Sequence, residues 1–245
     1  MYDFEEACPI SKAASVLCER WTLQILREMM LGAKRFSEFR QYLPKMSPTL
    51  LNTRLKALEK QGLIVKRKIP EKSGYEYRLS PSGKALGPLL SEFGKWGMQY
   101  AFTSMNEEQL NVSALIRDFA VALQVDQLPE GNSVIQFNVN VDNKCIIKYI
   151  IIRDGKQEIC DENIGYDVDV NLTADLKTFG QIWFNALSIS SAIKNSHLKI
   201  FGSSFYTNNI TRWLGTSQFI AGKSMKKETN TCYSRRINQR TGRDY

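Results

Sequence analysis

The sequence contains a single histidine, His197. Histidine-rich metal sites are thereby excluded, and Ser-His-Asp catalysis has little to be built from. The cysteines are Cys8, Cys18, Cys145, Cys160 and Cys232, an odd number with no CxxC pair. A disulfide framework or a zinc knuckle is therefore not expected, and no metal is assigned. No apolar run approaches the ~18 residues that span a bilayer, so no membrane partner is expected. Met1 to Ile10 carries Asp3, Glu5 and Glu6 and no basic residue, unlike a secretory signal. A cytoplasmic protein is the expectation. Paired catalytic carboxylates, a nucleophile motif and a glycine-rich phosphate loop are also missing, so neither an enzyme nor a cofactor is expected.

What is present is ordinary globular material: 245 residues, 43% hydrophobic and 24% charged. At roughly 150 residues per domain this allows one large domain or two small ones. The net charge of +8 is uneven. Residues 1–105 carry 17 Lys+Arg against 10 Asp+Glu, residues 106–222 carry 9 against 13, and residues 223–245 carry 7 against 2. The reading is multidomain: a basic unit over 8–105, an acidic unit over 110–222, and a basic, aperiodic tail over 223–245. Such a tail is expected to be disordered, with a loose phosphate-contacting arm as the alternative.

In the basic unit, Ser11 to Glu19 and Trp21 to Leu31 read as helices, the second closed by Gly32. Ser37 is the expected cap of a third helix, with Phe36 just outside and Pro44 stopping it. Ser47-Pro48 opens a fourth, because Ser caps well and Pro is tolerated at the first helical position. It runs to about Gln61 and ends at Gly62. Leu63–Pro70 and Tyr75–Ser80 read as strands around a turn at Glu71–Gly74. From Pro81 to about Thr103 the apolar phase is helical, with Pro88 marking either a kink or a later start.

Three helices followed by a β-hairpin form the winged helix-turn-helix pattern, mainly α with a hairpin wing. The helix just before the hairpin is the expected reader. Leu51, Leu55 and Leu58 share its core side. The opposite side presents Thr49, Asn52, Thr53, Lys56 and Lys60, which can donate to base edges and phosphates without acidic repulsion. With Ser47 and Pro48 at its start, and the hairpin cations Lys66, Arg67, Lys68, Lys72 and Arg78, this composes a DNA-binding surface. Thr49, Asn52 and Thr53 are expected to read bases, and Lys56, Lys72 and Arg78 to hold phosphates.

The motifs of this unit run in order. They are Cys8-Pro9-Ile10, Glu19-Arg20-Trp21-Thr22, Ile25-Leu26-Arg27-Glu28 and Arg35-Phe36-Ser37-Glu38-Phe39-Arg40. Ser47-Pro48 follows, with Leu51, Arg54-Leu55, Leu58-Glu59, Gly62-Leu63-Ile64 and Tyr75-Glu76-Tyr77-Arg78-Leu79. Over residues 8–105 the chain resembles the HxlR family of winged-helix transcriptional regulators. The resemblance implies a homodimer on an inverted-repeat operator, joined through the N-terminal helix and the long helix after the wing. It also implies that Cys8 matches a position used by several relatives to sense oxidants or electrophiles. A buried structural thiol is the other reading. Glu5 and Glu6 work against a reactive thiolate, and Lys12 works for it. Cys18-Glu19 departs from the family, many of whose members carry glycine before the Trp.

In the acidic unit Val112–Leu123 reads as a helix. Ser133–Val141, Lys144–Ile152, Lys156–Cys160 and Asp167–Thr173 read as strands, with Leu176–Leu187 as a helix. Lys199–Gly202 and a last helix near Ile210–Leu214 follow. Strands first and helices afterward indicate an α+β fold with helices on one face of a mostly antiparallel sheet. The order resembles the SCP2 family of sterol- and lipid-carrier domains, which implies an apolar cavity. The expected lining is Phe137, Val139, Tyr149, Trp183 and Phe201, around ~300–1,000 Å³ for an apolar small-molecule or lipid effector. The alternative makes Trp183, Phe184, Phe201 and Phe205 ordinary core aromatics. Together these features point to a homodimeric transcriptional regulator that binds double-stranded DNA; a hydrophobic-ligand carrier dimerised by its helical domain is the alternative.

Overall fold

A computed structural model describes residues 7–70, 74–102, 106–162 and 165–219. Two hydrophobic cores organise them, one on each side of the chain's middle.

The first core gathers four helices and a hairpin: α1 (Pro9–Leu17), α2 (Thr22–Met30), α3 (Phe36–Tyr42), α4 (Pro48–Lys60), β1 (Ile64–Lys68) and β2 (Tyr75–Leu79). Ile25, Leu26, Phe39, Leu51, Leu55 and Ile64 are essentially fully buried. Each such side chain contributes roughly 1.5–3 kcal/mol relative to exposure. The turn before α2 is made by Trp21 itself, in the left-handed region at φ 77°. A bulky residue seldom adopts that conformation. In α3 the expected cap is corrected. Ser37 lies inside the helix, Phe36 is its first residue, and Glu38 caps it by accepting from the backbone N–H of Lys34 and Arg35 at 2.6 and 2.9 Å. The carboxylate reaches two orphan donors at once, which a serine at 37 does not.

After the wing the expected long helix is two: α5 (Pro81–Ala85) and α6 (Gly87–Trp96). Pro88 therefore marks a new start, not a kink, and α6 continues into a π-helical turn over Gly97–Ala101.

The second core lies between a sheet and the helices on one of its faces. Its elements are α7 (Val112–Ala122), β3 (Ser133–Val141), β4 (Lys144–Arg153), β5 (Lys156–Cys160), β6 (Val170–Asp175), α8 (Leu176–Trp183), α9 (Ile189–Lys194), β7 (Lys199–Gly202), α10 (Ser204–Asn208) and α11 (Ile210–Trp213). The strand order is β5-β4-β3-β6-β7, antiparallel except for the β3–β6 pair. The fold is α+β. Phe119 of α7 packs on Phe137, Phe179 and Trp183, with ring centroids 5.2–6.2 Å apart. Short helices α9 and α10 lie between the elements that the sequence pattern predicts.

The units meet directly. Helix α7 packs on α3. Arg117 of α7 pairs with Glu28 of α2, and Arg27 reaches Asp118 at 2.6 Å. Burial works against the Arg27 charge, but Asp118 and Glu28 more than offset it and its pKa is raised. The Arg117 guanidinium also lies 4.3 Å from the Tyr42 ring centre.

Candidate DNA-binding surface

Helix α4 is positioned by both of its ends and by its apolar side. The Ser47 hydroxyl accepts from the Leu50 N–H at 3.3 Å, and Pro48 occupies the first turn, where no N–H is needed. Gly62, at φ +70°, turns the chain into β1. Leu51, Leu55 and Leu58 are buried, so helical periodicity turns Thr49, Asn52, Thr53 and Lys56 outward, where all four are exposed along with Ser47 and Pro48. The Thr53 hydroxyl donates to the Thr49 carbonyl at 2.9 Å, holding its rotamer against the helix.

Arg54, part of the sequence motif but given no role by it, acts as a tether. Its guanidinium donates to the Arg20 carbonyl at 3.0 Å and pairs with Glu19 at 2.7 Å. It thus ties α4 to the turn before α2. Its place between Thr53 and Leu55, beside the core side of the helix, was the available signal for an inward tether.

The wing presents Lys66, Arg67 and Lys68 as exposed residues of β1. The Lys66 ammonium lies 4.1 Å from the Tyr75 ring centre, which holds the cation over the strand pair. Arg78 is exposed but engaged: Nε and Nη2 donate to the two Glu76 carboxylate oxygens at 2.7 and 3.2 Å. The bidentate pair lowers the pKa of Glu76 and raises that of Arg78. Arg78 therefore shares its charge with Glu76. Lys72 lies outside the described residues, as do the tail over 223–245 and Cys232.

Cys8 stands at the N-cap of α1 and is exposed in the single chain. Its pKa is lowered by hydrogen bonds from the backbone of Ser11 and then Ile10. These are the orphan donors of a helix start.

The five expected lining residues of the second unit do not line one cavity. Phe137 and Val139 are buried on the helix-covered face with Trp183. Tyr149 pairs with Gln136, whereas Phe137 pairs with Lys148, so Tyr149 projects from the opposite face. Phe201 pairs with Asn171 on that same opposite face and is mostly exposed. Because side chains alternate along a strand, register decides which face each one occupies. Phe205 is exposed as well, so of the four aromatics weighed as core only Trp183 is buried. Among the described residues no group of His, Cys, Asp and Glu is arranged to hold a metal, and no helix is long and apolar enough to cross a membrane.

Comparison with known proteins matches residues 16–105 to the model of the HxlR-like helix-turn-helix family. The uncharacterized HTH-type transcriptional regulator YvaP of Bacillus subtilis is 40% identical over 97 residues, 39% of this chain and 90% of that protein. YdeP of the same organism, also an uncharacterized HTH-type transcriptional regulator, is 34% identical over 40% of this chain and 77% of its own length. The HTH-type transcriptional regulator YodB, again from Bacillus subtilis, is 34% identical over 38% and 85% respectively. These matches coincide with the first core and leave the α+β unit outside them. Through its winged-helix unit, the chain belongs to the HxlR-like helix-turn-helix family.

Proposed function

We propose that the chain is a transcriptional regulator that binds double-stranded DNA as a homodimer, with α4 in the major groove of each half of an inverted repeat. The observation that carries this is the face of α4: Thr49, Asn52, Thr53 and Lys56 are exposed together beside the basic wing. Asn52 suits bidentate recognition of adenine, and Lys56, Lys66 and Lys72 suit phosphates. Dimerisation is supported by an apolar stripe on α6 and the turn after it. Leu89, Phe93, Trp96 and Tyr100 recur at helical spacing and are exposed, Phe93 at 57% and Trp96 at 58%. Ile10 of α1 is exposed too. Two such helices from two protomers cover one another and set the two α4 helices about one DNA turn apart, or a multiple of it.

The test is selection of duplexes from a random pool by the full chain. An enriched inverted repeat is expected. Asn52→Ala then costs about 1–3 kcal/mol on the selected site and relaxes preference at one base position, whereas Lys66→Ala weakens all duplexes alike and reduces the salt slope. Unchanged binding by Asn52→Ala and Thr53→Ala together removes α4 as the reader.

Two regulatory inputs belong to this reading. The lowered pKa of the exposed Cys8 thiol favours oxidant sensing at α1, on the dimer side of the unit. The α+β unit, read as an SCP2-like fold, takes an apolar effector on its helix-covered side, near Phe137, Val139 and Trp183. Such an effector acts only through different affinities for the DNA-free and DNA-bound conformations.

A further inference from the structure

We propose that helix α7 of the second unit braces the DNA-reading head, and that the buried charge cluster joining α7 to α2 is the element through which the second unit sets DNA affinity. The inference rests on the reading of α4 as the DNA reader.

The cluster is made of Arg27 and Glu28 on α2 with Arg117 and Asp118 on α7. Glu28 is 2% exposed and Arg117 is 3% exposed. Arg117 bonds both Glu28 and Asp118, and Arg27 bonds both of the same carboxylates. Two positive and two negative charges therefore close a neutral ring across the boundary. Two of its members have almost no water to fall back on. Separating them leaves a buried charge unpaired, so α7 is either docked or released, with little stable ground between. One donor is still unsatisfied: Arg117 Nε is buried with no hydrogen-bond partner.

Two further hydrogen bonds across the boundary reach the segment that leads into α4. The Asn111 amide, at the cap of α7, donates to the Gln41 carbonyl at 3.2 Å. The Lys45 ammonium donates to the Glu108 carbonyl at 2.9 Å. Gln41 lies in the last turn of α3, and Lys45 stands two residues before the Ser47 cap. The second unit therefore holds the turn of the helix-turn-helix from behind. Meanwhile the faces of α4 and the wing stay exposed. Docking is compatible with DNA, so bracing favours binding and release disfavours it.

The other side of α7 leads into the second core. Phe119, two residues from Arg117, stacks among Phe137, Phe179 and Trp183. Repacking of those rings moves the same rigid helix that carries Arg117 and Asp118. This supplies an element whose position both units bias, the physical requirement for coupling between sites.

The test uses the full chain carrying Arg117→Glu, Glu28→Arg, or both, with two readouts: amide hydrogen exchange over residues 36–60, and affinity for a duplex selected from a random pool by the wild-type chain. Each single substitution is expected to speed exchange in that segment and to lower affinity by about ten-fold, within the 5–150-fold range of ordinary coupling. The swapped pair re-forms the bond between positions 28 and 117 but sets like charges beside Arg27 and Asp118, so it is expected to recover part of each loss. Lys45→Ala, at an exposed position that folding does not depend on, is expected to speed exchange around residues 43–52 and to weaken binding by a smaller factor. Unchanged exchange and affinity in Arg117→Glu overturn the proposal, as does a swapped pair no better than the single changes. A wild-type chain that selects no duplex overturns the DNA reading instead, and the exchange readout still decides whether α7 braces the turn.

Discussion

One added methyl group tests whether the base of the wing is packed as tightly as the structure shows. Gly83 lies in α5, and a Cβ built there comes 2.1 Å from the Leu63 carbonyl oxygen and 3.1 Å from Leu79 Cδ2. The oxygen belongs to backbone, so an ordinary contact requires α5 and the start of β1 to separate by at least about 1 Å. That oxygen already accepts from the Ser80 N–H at 3.0 Å, and the Ser80 and Ser82 hydroxyls both donate to the neighbouring Gly62 carbonyl. Separation therefore strains the hydrogen bonds that seat the wing on the end of α4. Overpacking costs about 1–3 kcal/mol and one weakened hydrogen bond about 1 kcal/mol. Alanine in a helix recovers only about 0.5–1 kcal/mol relative to glycine. The clash wins by roughly 1–3 kcal/mol, so Gly83→Ala lowers the melting temperature of the winged-helix unit by at least about 4 °C, at about 4–8 °C per kcal/mol for a unit of this size. Gly87→Ala is the control, since its Cβ meets nothing nearer than Met30 Sδ at 3.9 Å. The measurement is thermal unfolding of both variants beside wild type. A Gly83→Ala protein as stable as wild type refutes the argument.

Two further outcomes are expected. Cys8 reacts with iodoacetamide faster than Cys160 at mildly alkaline pH, because backbone hydrogen bonds lower the Cys8 pKa and burial raises that of Cys160; peptide mapping of the alkylated chain decides, and equal rates go against a sensing role. Phe93→Glu places a charge in the exposed stripe of α6 and converts a dimer to monomers in sedimentation, with little change in melting of the monomer because Phe93 lies outside either buried core.

Local chemistry was enough to place most of the helix-turn-helix. Ser47-Pro48 and Gly62 bound α4 because capping and left-handed backbone are properties of a few residues in a row. The leucines at 51, 55 and 58 turned Asn52 and Thr53 outward by periodicity alone. The Arg78–Glu76 pair was less legible, since two charges two apart on a strand can pair with each other or with separate partners. Arg54 was hidden for a related reason: its tether is the carbonyl of Arg20, 34 residues away in sequence.

In the second unit the alternation of Ser133–Val141 correctly separated Ile135, Phe137 and Val139 from Gln136 and Asn138, because the period of a strand is a property of its own residues. Which residues of the other strands join each face depends on register, and register is set by pairing. Lys148, not Tyr149, stands opposite Phe137, and Phe201 stands opposite Asn171. An aromatic residue in a strand is equally at home on either side until its neighbour is known. The docking of α7 on α2 and α3 was likewise beyond the sequence. Arg27, Glu28, Arg117 and Asp118 are common charged residues on helix surfaces, and only the close approach of two helices turns them into a buried ring. Sequence alone determined what each segment can form and which side of it is apolar, because those depend on neighbours along the chain. Tertiary structure decided which charges lose their water and which faces meet, because those depend on segments brought together from about 90 residues apart.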